Sequence, residues 1–295
     1  MPYFTTQDGC RIYYETHGFD GLSARKSCHL GLVQGKTESP AFQKAEQKSS
    51  KPVVVFLNGT MQNTTYWKTA AIVLEDRFPV LLYDARAQGQ SDIGEGGLSL
   101  EGHAADLARL LEHLEVEKAY LVGLSHGAKV ALVCAANSPE RIDRLVLCSI
   151  SAKYSCRTRL VLRSWLETLR TSGLEAMAGV ALPVVFGENF LKQKERILYA
   201  IMKGIIERNR KEALIPQLET MIAYPPLSQI AQNVRIPALV ISGSDDPLVT
   251  EQGARELAKL CSGRHKQFIG VGHSIPTEAP ELFNETLLEF LCPDA

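Results

Sequence analysis

The stretch Ala119-Tyr120-Leu121-Val122-Gly123-Leu124-Ser125-His126-Gly127-Ala128 decides how the chain is read. Ala119–Val122 is an apolar, strand-like run, and a helical pattern extends from Ala128 to Ala136. Between them a serine stands two residues from a glycine on either side. A tight strand-to-helix turn needs small flanking residues, because a Cβ there clashes with the neighbouring backbone. Such a turn lifts the serine hydroxyl clear of a sheet. It also sets the hydroxyl at a helix N-terminus, where unpaired N–H groups favour developing negative charge.

Outward from this turn, short apolar runs alternate with amphipathic ones. Val53–Leu57, Val80–Tyr83, Ala119–Val122, Leu145–Cys148 and Ala238–Ser242 are rich in Val, Leu and Ile, and a last run covers Gln267–Ile269. Runs apolar on both faces suit parallel strands covered by helices on each side. Leu100–Leu114, Ala128–Ala136 and Glu251–Leu260 supply the helices. The expectation is an α/β fold with a mostly parallel, doubly wound sheet.

Two segments break the alternation. Residues 20–51, after an N-terminal strand at Arg11–Glu15, have little apolar periodicity, and their basic residues (Arg25, Lys26, Lys36, Lys44, Lys48, Lys51) outnumber the acidic ones. This reads as a polar insertion between two strands, or as a basic arm for an acidic partner such as a carrier protein. Residues 152–232 are helical in pattern, at Arg157–Arg170, Leu174–Leu182, Phe190–Arg208 and Ala213–Ile222. That is more chain than a connection needs. It is expected to be a helical cap inserted between strands, with residues 1–151 and 233–295 forming the core. Trp165, Met177, Val184, Phe186 and Phe190 are its large apolar residues, and each serves equally to pack the cap or to line a pocket.

A serine hydroxyl needs a base within hydrogen-bond reach, and the base needs an orienting acid. Of the seven histidines, His17 and His29 precede the sheet core. His103 and His113 lie on a helix, with surface or capping roles expected, and His265 is expected to face solvent. His126 follows the serine, so its backbone N–H rather than its ring is of use. His273 lies in Gly270-Val271-Gly272-His273-Ser274, a loop after the last strand, where ligands meet an open parallel sheet. Gly243-Ser244-Asp245-Asp246-Pro247 follows another strand and offers two candidate acids, Asp245 and Asp246. An oxyanion hole requires two backbone N–H groups. His126 supplies one, and the loop Asn58-Gly59-Thr60-Met61 supplies the other from Thr60 or Met61.

Asn58-Gly59, then Asp84-Ala85-Arg86-Ala87-Gln88-Gly89-Gln90-Ser91, then Gly123–Gly127, Gly243–Asp246 and Gly272-His273 occur in one order that resembles the α/β-hydrolase superfamily, in its cap-bearing esterase, lactonase and thioesterase branch. The resemblance runs from about residue 52 to the C-terminus. It implies Ser125 as nucleophile, Asp246 as acid (the fourth residue of the Gly-x-x-Asp turn) and His273 as base. Asn58 stands where the family has histidine, and Ala87 where it has glycine. The Asn58–Thr65 loop is also similar to that of 3-hydroxyacyl transferases.

The 295 residues are 45% hydrophobic and 22% charged, with a formal net charge of −1, so the chain carries no basic footprint for nucleic acid. No apolar run approaches a membrane span. The polar start lacks an export signal, so a cytoplasmic protein with its seven cysteines as free thiols is expected. There is no dense metal-ligand cluster and no dinucleotide fingerprint, hence no cofactor. Nothing marks an oligomeric state. The expected activity is that of a serine hydrolase acting on a small ester or lactone. The alternatives are an acyl-carrier-protein or CoA thioesterase or acyltransferase, and a non-catalytic binding protein on the same fold.

Overall fold

The computed structural model describes residues 2–19 and 51–293. The polar insertion expected at residues 20–51 therefore lies, apart from Lys51, outside the described residues. Two strands come first, β1 (Tyr3–Thr5) and β2 (Arg11–His17). β3 (Val53–Leu57) leads through a 3-10 turn to α1 (Lys68–Leu74), then β4 (Val80–Tyr83), α2 (Leu100–His113) and β5 (Ala119–Leu124). α3 (His126–Asn137) and β6 (Ile142–Cys148) follow.

Among the described residues the strands form one sheet in the order β1-β2-β4-β3-β5-β6, continued by β7 (Ala238–Gly243) and β8 (Arg264–Phe268). β1 and β2 run antiparallel and the rest are parallel. The doubly wound sheet expected from the sequence is present. Every residue of β3 and β4 is buried. Val53, Val55 and Leu57 join one apolar cluster with Leu107 and Val130, whereas Val54 and Phe56 join another with Trp67 and Phe283. Alternate side chains thus feed the two faces, as the two-residue period of a strand requires.

Between β6 and β7 lie α4 (Cys156–Val185), α5 (Glu188–Lys194), α6 (Leu198–Glu207), α7 (Lys211–Ala223) and α8 (Ser228–Ala231). The two helices expected at Arg157–Arg170 and Leu174–Leu182 run together as α4. They are separated only by Gly173, whose φ of 87° and ψ of −178° suit glycine alone. The single helix expected over Phe190–Arg208 is instead broken into α5, a 3-10 turn at Glu195–Ile197 and α6. α4 and α7 share the core, with Leu162, Leu166 and Leu169 beside Leu214, Leu218 and Met221. After β7 come α9 (Glu251–Leu260), then β8, α10 (Ile275–Glu278) and α11 (Pro280–Leu291). Ile269, expected to close the last strand, is exposed and outside β8. Among the described residues no helix is long and apolar enough to cross a membrane. The described cysteines are free, with Cys134 and Cys148 in the core.

Candidate active site

Ser125 is the residue between β5 and α3, with φ 52° and ψ −111°. A non-glycine residue at positive φ and this ψ is strained, at a cost of about 1–3 kcal/mol, and persists only where packing enforces it. Here the packing is specific. A Cβ at Gly127 would fall on the carbonyl oxygens of Leu57 and Asn58, and one at Gly123 would fall on the backbone of Ala128. β3 and β5 are neighbours in parallel register, with Leu57 opposite Gly123. That pairing brings the loop after β3 against the start of α3.

His273 is buried in the loop between β8 and α10, and its Nδ1 lies 2.7 Å from Oδ2 of Asp246. The other carboxylate oxygen of Asp246 accepts from the N–H groups of Leu248 at 2.8 Å and Val249 at 3.2 Å. Asp245 is exposed, and among the described residues its carboxylate accepts from the neighbouring Ser244 hydroxyl. Of the two candidate acids, Asp246 alone meets the imidazole.

The backbone of His273 is tied on every side. Its N–H donates to Val185 O at 2.9 Å, and its carbonyl accepts from the Ser149 hydroxyl at 2.7 Å. Glu278 accepts from Gly272 N–H at 2.8 Å, Gly187 N–H at 2.9 Å and Ser274 N–H at 3.1 Å. Burial pushes the Glu278 carboxyl up from its ordinary range, and those three donors pull it back. Sequence reasoning missed this residue, because a glutamate five positions after a histidine is an ordinary helix residue until the loop is folded over it.

Ser125 and His273 line one small pocket of about 70 Å³, together with Gly59, Thr60, Lys129 and Tyr154. Leu162, Trp165, Val185 and Met221, from the helices between β6 and β7, complete its wall. Of the large apolar residues of that segment, Trp165 lines this pocket and Phe186 a larger one, whereas Met177, Val184 and Phe190 line neither. The larger cavity, about 560 Å³, shares Thr60, Gln62, Val185 and Ser274 with the small pocket and is walled mainly by apolar side chains.

His126 is the first residue of α3, so its N–H has no acceptor within the helix. Its ring points away from the pocket, stacked on Tyr224 with centroids 6.1 Å apart. Gly59 N–H donates to Gln62 Oε1 at 2.7 Å, which leaves Thr60 as the next N–H along the loop. Thr60 borders both cavities, and Met61 borders only the larger. Asn58 faces inward, its side-chain amide donating to Tyr83 O at 2.9 Å and Asp84 Oδ1 at 3.2 Å.

Two histidines depart from expectation. His103 is buried rather than at the surface, edge-on to His126 with centroids 4.9 Å apart. Burial, with the nearby Arg86 cation, pushes its imidazole down to about 4. His126 is likewise held well below the usual imidazole range, chiefly by burial. His265 is half-buried and meets the Ser242 hydroxyl at 2.9 Å. Helical spacing on α2 places His103 on the same face as Leu107 and Leu110, and that apolar stripe was the signal for its burial.

A family model described as alpha/beta hydrolase fold matches residues 52–280. The 3-oxoadipate enol-lactonase 2 of Acinetobacter baylyi is 24% identical over 240 residues, covering 81% of this chain and 88% of the relative. A protein of Agrobacterium fabrum named as a carbamate hydrolase, RutD, is 25% identical over 266 residues, covering 88% and 97%. Among solved structures, the enol-lactonase from Burkholderia xenovorans superposes with a TM-score of 0.80 at 25% identity, covering 98% of this chain and 99% of that one.

Proposed function

Since this chain belongs to the alpha/beta hydrolase fold family, we propose that it is a serine hydrolase of carboxylic esters or lactones, acting through an acyl-enzyme on Ser125. One observation carries the reading. A backbone-strained serine at a helix start shares a pocket with an imidazole whose far nitrogen is held by a buried carboxylate.

In this mechanism His273 takes the Ser125 proton as the hydroxyl attacks the carbonyl, and Asp246 stabilises the imidazolium that forms. The N–H groups of Thr60 and His126 hold the tetrahedral oxyanion. Donors fixed in advance are worth about 10²–10³ each in turnover. His273 then protonates the leaving group, water attacks the acyl-enzyme, and the same base activates that water. Residues 152–232 act as a cap over the core formed by residues 1–151 and 233–295, limiting what enters and keeping water from the intermediate. The lactonase name of a relative matching most of the chain fits this class of substrate.

The test is turnover of short p-nitrophenyl esters and γ-lactones, with labelling by a fluorophosphonate probe. Wild-type protein is expected to turn over and to be labelled at residue 125. Ser125→Ala is expected to lose the label and about 10³-fold or more in kcat. Wild-type protein that neither turns over nor labels overturns the proposal.

A further inference from the structure

Lys129 stands one helical turn beyond Ser125 on α3, its N–H donating to Ser125 O at 3.2 Å. Residues four apart share a helix face, so its side chain enters the same pocket as the nucleophile. Only 6% of the residue is exposed, yet among the described residues it forms no ion pair. What it meets is the ring of Tyr154, whose centroid lies 4.3 Å from Nζ. A second cation, Arg159, approaches that ring at 5.7 Å and also lacks a carboxylate partner among the described residues. Among the described residues the buried Tyr154 hydroxyl has no hydrogen-bond partner, and no Asp or Glu lines either cavity.

A lysine is seldom taken out of water without an anion, because the ammonium loses hydration that an aromatic face restores only in part. The Lys129 ammonium therefore has no direct anionic partner among the described residues, the Asp246 carboxylate being engaged by His273, and a bound anion supplies one. Resting on the serine-hydrolase reading above, we infer that the substrate carries a carboxylate which Lys129 binds, close to the carbonyl that Ser125 attacks. Both groups border one pocket of about 70 Å³, so the spacer between the carbonyl and the carboxylate is short. The remaining, apolar part of the substrate occupies the 560 Å³ cavity, which shares Thr60, Gln62, Val185 and Ser274 with the small pocket. The substrate class is a half-ester of a short dicarboxylic acid. Hydrolysis consumes one water and releases the diacid with the alcohol.

The experiment compares mono-p-nitrophenyl glutarate with p-nitrophenyl pentanoate, which has a methyl in place of the distal carboxylate. The readout is the ratio of kcat/KM values in wild type, Lys129→Met and Lys129→Arg. Wild type is expected to favour the anionic ester by about tenfold or more. Lys129→Met should lower the ratio about 10- to 100-fold, and Lys129→Arg should keep most of it. Turnover of the neutral ester shows that each variant is folded. An equal ratio in wild type and Lys129→Met, with both esters cleaved, overturns the inference and leaves the hydrolase reading standing. Binding decides independently of turnover. Calorimetric titration of Ser125→Ala with glutarate and pentanoate should show glutarate preferred, and Ser125→Ala combined with Lys129→Met should lose that preference. If wild type cleaves neither ester while this preference holds, the hydrolase reading falls and the anion site remains. If glutarate binds both proteins alike, the anion site falls.

Discussion

The carboxylate of Asp246 lies 2.7 Å from Nδ1 of His273, while the adjacent Asp245 points to solvent. Two residues alike in sequence are therefore unlike in consequence. Asp246→Asn should lower kcat roughly 10³–10⁴-fold, because an amide favours the wrong imidazole tautomer and cannot stabilise the imidazolium. Asp245→Asn should change kcat by no more than about twofold. Steady-state turnover of a p-nitrophenyl ester by the two variants checks this, and equal losses would reassign the acid.

Under the proposed mechanism Glu278 acts on His273 from behind, as a positioning residue. It gathers the N–H groups on both sides of His273 and one from Gly187. Glu278→Ala frees all three donors, and loosening of the loop should lower kcat about 10- to 100-fold with KM changed little. The glutamine variant, which keeps an acceptor, should retain more of kcat. Loss of stability to urea with kcat unchanged in both variants assigns Glu278 to stability alone.

The buried pair His103 and His126 makes stability depend on pH. Both rings are held below the ordinary imidazole value, His103 at about 4. Between about pH 6.5, where the unfolded chain takes up these protons, and about pH 4, the unfolded state binds more protons than the folded one. Stability is therefore full above pH 6.5 and falls as the pH drops through that window, by up to about 1.4 kcal/mol per pH unit for each ring. His103→Phe preserves the edge-on contact and removes one titrating group. Urea unfolding at pH 7.5, 6 and 5 should show a shallower acid loss for the variant than for wild type.

The parts of the fold legible in the sequence are those where one residue's neighbours dictate its state. β3 and β4 carry unbroken apolar runs because helices cover both faces, and their limits match the expected ones. β8 reads Arg264-His265-Lys266-Gln267-Phe268, pairs on one side only and is largely half-exposed, so its sequence has no apolar run to show. β1 is likewise an edge strand, of three residues, held by β2. The same division holds at the site. The turn around Ser125 is local and visible in five residues. Lys129 and Glu278 acquire meaning only when distant segments close around them, and no spacing within α3 or α10 announces that.

The hydrogen bond from the His273 amide to Val185 O joins the imidazole-bearing loop to the last residue of α4. Val185 also stands in the wall of both cavities. Any displacement of that end of the helix loads the backbone of His273 directly, so the wall of the pocket and the position of the imidazole are set together.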